Sequence, residues 1–346
     1  MHNDDILILK GHEVDALLAG REIEIMQAVR MAYETHARGE SSLPHSTFLR
    51  FPNNQRDRII ALPAYLGDRW GIAGVKWVAS FPGNLENGLD RASALVILNS
   101  AETGRPEAIL EGSIISAKRT AASAALAAQC LCNGNKMDRV SMVGCGVINF
   151  EIARFLLAAL PEVKYFVVHD LDLVRGERFK RKCQKTFGDV EVKVVEDLET
   201  VLRSSALISI ATTAETPYIN ELSAVPPGAA ILHVSLRDLS PEVILNCDNV
   251  VDDIDHVCRA QTSVHLAEQL TGNRDFIRGA LSDVLSGRIS ARSDTGSVVI
   301  FSPFGLGILD LSIGKLVKDL GLEQGRGTII DSFLPESWVK DDKRHA

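Results

Sequence analysis

The chain has 346 residues, 46% of them apolar and 24% charged, with a formal net charge of −8. That length allows two domains, and the acidic balance argues against general nucleic-acid binding, which favours a basic face. No run approaches the roughly 20 uninterrupted apolar residues of a membrane-spanning helix. The start, MHNDDILILK, lacks the basic, long apolar and small-residue segments of a secretory leader, so a cytoplasmic location is expected. The cysteines at 130, 132, 145, 183, 247 and 258 show neither a CxxC nor a metal-ligand spacing with histidine. They read as reduced thiols, and no metal is expected.

In chain order, 4–9 reads as a short strand, and 13–18 and 22–38 read as helices. Strand-like runs follow at 47–51, 58–65, 72–81 and 92–99, separated by turn residues such as Pro82-Gly83-Asn84. Together they predict an antiparallel α+β block. An alanine-rich helix at 114–132 then leads into a different rhythm. Strands are expected at 140–143, 165–169, 191–195, 206–211, 230–234, 249–252 and 298–301, with helices at 173–187 and 198–204 between some of them. Alternating strands and helices imply a parallel, doubly wound sheet. A helix at 305–320 returns towards the first block, and the polar tail SWVKDDKRHA is expected to fray.

The most informative stretch is 139–170. An apolar strand breaks into Gly144-Cys145-Gly146-Val147-Ile148-Asn149, a helix-period pattern follows, and a second strand ends on Asp170. Strand, glycine turn, helix, strand and acid make a dinucleotide-binding βαβ unit. The first glycine permits the tight turn and the second lets backbone approach a pyrophosphate, which the helix N-terminus at Val147 and Ile148 would receive. Asp170 would accept from a ribose 2′-OH and repel a 2′-phosphate, so NAD is favoured over NADP despite Arg175 nearby. Asn149 replaces the usual third glycine, which threatens close helix–strand packing. Cys145 reads as a small filler. Thr212 and Ser235, just after the strands at 206–211 and 230–234, are further cofactor-binding candidates.

Polar residues in apolar surroundings are the candidates for chemistry. Lys76 lies inside the strand IAGVKWVASF, where a lysine is rarely buried unless paired or functional. Arg119 stands in the alanine-rich helix, and its planar fork suits a carboxylate. Asp238, in HVSLRDLSPE, follows a nucleotide-domain strand at the carboxyl end, where a group facing the cofactor should lie. Its plainer reading is a turn or helix-cap aspartate before Ser240-Pro241. Arg50, His45 and Arg91 are weaker candidates in the first block. Asp252, Asp253 and Asp255 read as a solvated acidic loop, not a metal site.

The runs GVKWVASFPGN (74–84), TGRPEAILEGSIISAKRTAASAALAA (103–128), VGCG (143–146), SLRDLSPE (235–242) and VIFSPFGLGILDL (299–311) together resemble the ornithine cyclodeaminase/μ-crystallin family. The likeness runs in the family's order from about residue 40 to 320. It implies that Lys76 and Arg119 bind a substrate α-carboxylate, that Asp238 is the catalytic aspartate, and that Lys76 also serves catalysis. It implies a homodimer as well. The expected architecture is α/β: a Rossmann-type doubly wound parallel sheet (131–305) inserted in an α+β substrate-binding and dimerisation domain (1–130 with 306–346). The sequence departs from the family where His45 follows Pro44 in place of an arginine, and in the segment Phe301-Ser302-Pro303-Phe304. SFPGN, LDRASA and GCGVINFEIA resemble a subgroup of NAD-dependent dehydrogenases that release 2,3-diaminopropionate and 2-oxoglutarate from a secondary amine, for siderophores or peptide antibiotics. Such a substrate has three carboxylates, and Arg50 or Arg91 could meet those beyond the first. An ornithine cyclodeaminase and a non-catalytic, μ-crystallin-like binding protein are the alternatives.

Overall fold

The computed structural model describes residues 4–132 and 137–335; the polar tail expected to fray lies outside them. Two compact units form: Met1–Gly20 with Gly39–Ser116 and Gly307–Ala346, and Arg21–Arg38 with Ala117–Leu306. The late division, after Leu306, lies within one residue of the boundary expected there, whereas the early one falls after Ser116 and not at 130. The helix Glu22–Ala37 and most of the alanine-rich helix Ser113–Leu131 belong to the second unit. Chain order alone carried no sign of this, because both segments precede the glycine turn in sequence.

The first unit is a sheet of β1 (Ile6–Leu9), β2 (Ser41–Ser42), β3 (Thr47–Phe51), β4 (Asn54–Leu66), β5 (Ile72–Ser80), β6 (Ala92–Ser100), β7 (Pro106–Glu111) and the late β16 (Thr328–Ile330). Its order is β16-β1-β7-β6-β5-β4-β2, with β3 paired to β4. The block is not purely antiparallel as expected, since β1 runs parallel to β7. β7 itself escaped the sequence reading because its segment, PEAILE, opens on proline beside a turn; buried Ala108 and Leu110 give it an inward face. One face of β4–β6 packs on the helix Gly307–Glu323, which brings Leu309, Leu311, Ile313 and Val317 into the core. Gly74 on β5 is required by that packing. A Cβ there would stand 2.2 Å from the Ile97 carbonyl oxygen and 2.9 Å from Leu311.

The second unit holds eight strands: β8 (Arg139–Val143), β9 (Tyr165–His169), β10 (Glu191–Val194), β11 (Leu207–Ile210), β12 (Ala230–His233), β13 (Asp248–Val251), β14 (Ile277–Ala280) and β15 (Val299–Ser302). The order is β10-β9-β8-β11-β12-β15-β13-β14, and every pairing is parallel. β11, β12, β13 and β15 are buried at every position, as expected of strands covered on both faces. The order reverses beside β8, which makes its carboxyl end the switch point of a Rossmann-type doubly wound sheet. The helix Leu173–Phe187 is strongly charged, yet Phe179 and Cys183 give it an apolar seam. Asp172 caps it by accepting from the Val174 and Arg175 amides. β14 was not expected, because IRGA lacks both length and alternation. Among the described residues, no helix is long and apolar enough to cross a membrane, and no cluster of His, Cys, Asp and Glu could hold a metal ion.

Candidate active site

At the end of β8 the two glycines have separate roles. Gly144 has φ +91°, and a Cβ on it would lie 2.4 Å from the Ala211 carbonyl oxygen, so neither backbone nor space admits a side chain. Gly146 has ordinary φ, and a Cβ on it would meet nothing within 4 Å. It opens the helix Val147–Ala159, whose first amides, with Val147 exposed, bound an uncovered cradle suited to an anion. Gly146→Ala should therefore fold with an unchanged melting temperature but lose NAD affinity at least tenfold in a fluorescence titration. Gly144→Ala should instead lower the melting temperature. Equal NAD affinity in Gly146→Ala and the parent would remove the phosphate assignment.

Asn149 does not loosen this turn; it ties it. Fully buried, its Nδ2 donates to the carbonyls of Val143 (2.9 Å) and Gly144 (2.6 Å), and its Oδ1 accepts from Ser209 Oγ (2.7 Å) on β11. Asp170 accepts from the Cys145 amide at 2.8 Å and from the Asp172 amide at 3.0 Å. A carboxylate has about four lone-pair sites, so it can still receive ribose hydroxyls. The Cys145 thiol is pushed up to about 12, by burial first and then by the Asp170 charge, which keeps it neutral and unreactive.

Asp238 sits past the end of β12, fully buried. The chain reaches it through Leu236 at φ +69°, a sharp corner for a branched residue. Two residues expected at the cofactor hydrogen-bond to it: Thr212 donates to Oδ1 and Ser235 to Oδ2. His233, also fully buried, has Nε2 3.2 Å from Oδ2 and 3.2 Å from the Asp238 amide, and Nδ1 3.4 Å from Ser302 Oγ. With a proton on Nε2 the ring binds the carboxylate; without it, the same nitrogen accepts the amide. Burial alone would raise the Asp238 carboxyl. The hydrogen bonds from His233, Ser235 and Thr212 outweigh it and hold the group below the usual carboxylate range. Burial, together with the Asp238 charge and a hydrogen bond to it, raises the phenol of Tyr218. The Asp238 carbonyl in turn accepts from the Tyr218 and Ile219 amides. His233 and Tyr218 were not anticipated, although a histidine within the buried run AILHV was a readable signal.

Arg119 is buried to 8% exposure, its guanidinium lying where a Gly305 side chain would stand, 2.8 Å from an ideal Cβ. The Phe304 and Gly305 amides donate to Asp252 at 2.8 and 2.7 Å. Asp252 thus belongs to no solvated loop: it is 1% exposed, and burial pushes its carboxyl up to about 6 against those amide bonds. Asp253 accepts from His36 and His256, and Asp255 pairs with Arg274.

In the first unit Lys76 is 3% exposed, and its Nζ lies 2.8 Å from the fully buried Asp310 and 3.1 Å from Ser116 Oγ. It is thus an internal ion pair and no surface lysine. Asp310 lies on the helix Gly307–Glu323, and nothing near it in sequence marked it. Arg50 is exposed with its guanidinium 5.6 Å from the Phe48 ring, Arg91 is half-buried, and His45 is exposed in the segment before β3.

A Rossmann-type sheet whose switch point carries an open glycine turn and a buried, hydrogen-bonded aspartate defines the class of nucleotide-dependent fold. The ornithine cyclodeaminase/mu-crystallin family model matches residues 5–325, and the chain belongs to that family. It is 27% identical over 337 residues to the N-((2S)-2-amino-2-carboxyethyl)-L-glutamate dehydrogenase of Staphylococcus aureus, covering 96% of this chain and 100% of that one. Among solved structures, the Delta(1)-pyrroline-2-carboxylate reductase of Thermococcus litoralis, in complex with NADH and L-proline, superposes with a TM-score of 0.87. It is 25% identical, with 93% of this chain and 99% of that one covered. An archaeal alanine dehydrogenase dimer with bound NAD gives 0.84 at 26% identity, over 94% and 99%.

Proposed function

We propose that this chain oxidises N-(2-amino-2-carboxyethyl)-L-glutamate with NAD and releases 2,3-diaminopropionate and 2-oxoglutarate, a step that supplies siderophore or peptide-antibiotic precursors. At the coarser level it is an NAD-dependent amino-acid dehydrogenase. The observation that carries the finer reading is the end-to-end similarity to the Staphylococcus aureus dehydrogenase of that substrate. The residues present fit the cofactor: the open cradle at Gly146, the amides of Val147 and Ile148 for the pyrophosphate, and Asp170 for the ribose hydroxyls.

When bound, NAD supplies the acceptor for the hydride leaving the glutamate α-carbon. Lys76 and Arg119 serve as carboxylate ligands. Asp238, ionised at neutral pH, takes the amine proton as the imine forms, and His233 at 3.2 Å offers a second seat for that proton. With that first proton held on His233, Asp238 draws one from the water that adds to the imine carbon and delivers it to the nitrogen, and the new hydroxyl gives up its proton to the nitrogen as the amine leaves. The C–N bond breaks, giving the ketone of 2-oxoglutarate and the free amine of 2,3-diaminopropionate. Thr212 and Ser235 keep the carboxylate oriented through both steps. The test is absorbance at 340 nm with purified protein and NAD. Stoichiometric NADH from the secondary amine is expected, and an ammonia-releasing conversion of ornithine with no net NADH would replace this reading by the cyclodeaminase.

A homodimer is part of the same reading. Cross-strand register puts Trp77 of β5 opposite Leu95 of β6, both more than 40% exposed, and Leu49 of β3 lies on that same apolar face. Sedimentation of the purified chain at twice its 37.6 kDa is expected, and a monomer at micromolar concentration would refute the pairing.

A further inference from the structure

Asp252 and Arg119 approach one short turn from opposite sides. β13 and β15 lie side by side and parallel, with Val251 opposite Ser302, so both strands deliver their next residues to the same carboxyl-terminal edge of the sheet. Asp252 follows β13 there, and the Pro303-Phe304-Gly305 turn follows β15. The Asp252 carboxylate takes backbone amides on both oxygens. Oδ1 accepts from Phe304 at 2.8 Å and from Asp253 at 3.0 Å, while Oδ2 accepts from Gly305 at 2.7 Å. The Phe304 amide arrives from 52 residues away in sequence, so this side chain ties the turn to the end of the neighbouring strand. A carboxylate that is 1% exposed is expensive to bury, and only its full set of donors compensates.

The turn held in this way is shaped for a guanidinium. Gly305 has φ +94°, and an ideal Cβ on it would stand 2.8 Å from Nη1, 3.1 Å from Nη2 and 3.4 Å from Cζ of Arg119. All three atoms surround the one point, so the planar group lies against Gly305 in the room its missing side chain leaves. One helical turn beyond Arg119, Ser123 Oγ lies 2.7 Å from the buried Tyr33 hydroxyl, which fastens this part of the helix Ser113–Leu131 to the helix Glu22–Ala37. The stem of Arg119 thus starts from fixed backbone, and the orientation of its fork depends on the turn.

We propose that Asp252 is a positioning residue for substrate: through the Phe304 and Gly305 amides it fixes the glycine seat of Arg119, and so sets the aim of that guanidinium at the substrate α-carboxylate. The inference deepens the dehydrogenase reading above and rests on its assignment of Arg119 as a carboxylate ligand. A planar fork holds a carboxylate bidentately only when its plane is correctly set, which a seat determines and a bare charge does not. Asp252→Asn isolates this role. The amide has one oxygen, so whichever way it turns, Phe304 or Gly305 faces a donor in place of an acceptor.

The experiment measures steady-state turnover below the melting transition for the parent, Asp252→Asn, Gly305→Ala, Arg119→Lys and the combined Asp252→Asn, Arg119→Lys chain. Asp252→Asn is expected to lower kcat/KM by about tenfold, chiefly through KM. NAD affinity should stay within about twofold of parental, because NAD is assigned to the separate turn at Gly146 and to Asp170. Gly305→Ala should raise KM as well, its methyl displacing the guanidinium. The decisive readout is the cycle: lysine has no fork to seat, so adding Asp252→Asn to Arg119→Lys should cost less than about a further twofold. A parental KM in Asp252→Asn overturns the proposal. So does an equal loss in both backgrounds, which would make Asp252 a support of the fold alone. Failure of the substrate reading is separate: the secondary amine would yield no NADH. The same comparison would then be made with whichever of ornithine, alanine and proline is turned over, since each carries an α-carboxylate.

Discussion

Asp238→Asn is expected to reduce kcat by roughly two to four orders of magnitude while NAD affinity stays within about twofold. The amide is nearly isosteric: its oxygen can accept from one of the Thr212 and Ser235 hydroxyls and its NH2 can donate to the other once that hydroxyl turns, so the corner at Leu236 and the Tyr218 and Ile219 amide bonds to the Asp238 carbonyl have no reason to move. What disappears is the negative charge and the seat for a proton. NAD is assigned to the Gly146 turn and Asp170, which the substitution does not touch. Steady-state turnover together with a fluorescence titration of NAD checks both halves, and full turnover would eliminate the acid/base role. The pH dependence has a definite sign. The folded carboxyl lies below the unfolded aspartate value of about 3.9, so its ionisation favours the folded state above that value. That contribution is lost only as pH falls through the lower, folded value.

The second large effect concerns stability. Asp310→Ala should destabilise the protein by about 3–5 kcal/mol, because it leaves the Lys76 ammonium uncompensated in a nearly sealed interior. The denaturant midpoint reads this directly. A combined Lys76→Met, Asp310→Leu replacement should recover much of the loss, since it removes both charges and keeps volume. The same double variant should be inactive if Lys76 holds the substrate carboxylate as proposed, and retained turnover would refute that role. Stability and activity would then part company. A loss below about 1 kcal/mol in Asp310→Ala would mean the pair is solvated and the buried geometry does not persist in solution.

Much of the fold was readable because its signals are local. The glycine turn, the fully apolar strands and the charged helix Leu173–Phe187 each declare themselves within a dozen or so residues. Short strands such as IRGA and the late TII did not, since a few residues carry no period. Lys76 could be singled out because a lysine in IAGVKWVASF breaks the apolar run. Its partner Asp310 could not, because the pairing joins residues far apart in sequence, and ILDL looks like any amphipathic helix start. Asp238 was placed correctly at a strand end, but the ring of Thr212, Ser235 and His233 around it depends on β11 and β12 lying side by side. The acidic run at Asp252 was misread for the same reason: its burial is created by the Phe304 and Gly305 amides, which arrive from a distant loop.

The Asn149 clasp carries a consequence for anyone transplanting this nucleotide unit. In the usual fingerprint the third glycine is an instruction written in one position, by leaving a side chain out. Here the equivalent instruction is divided between two strands' worth of chain, an amide at 149 and a hydroxyl at 209, and neither half is complete alone. A graft that carried only the segment from Arg139 to Asp170 into another scaffold would import a buried amide without its hydroxyl. Glycine at 149 in this chain would take away the acceptor of the Ser209 hydroxyl. The portable module is therefore the β8–β11 pair, and its smallest unit of exchange is Asn149 together with Ser209.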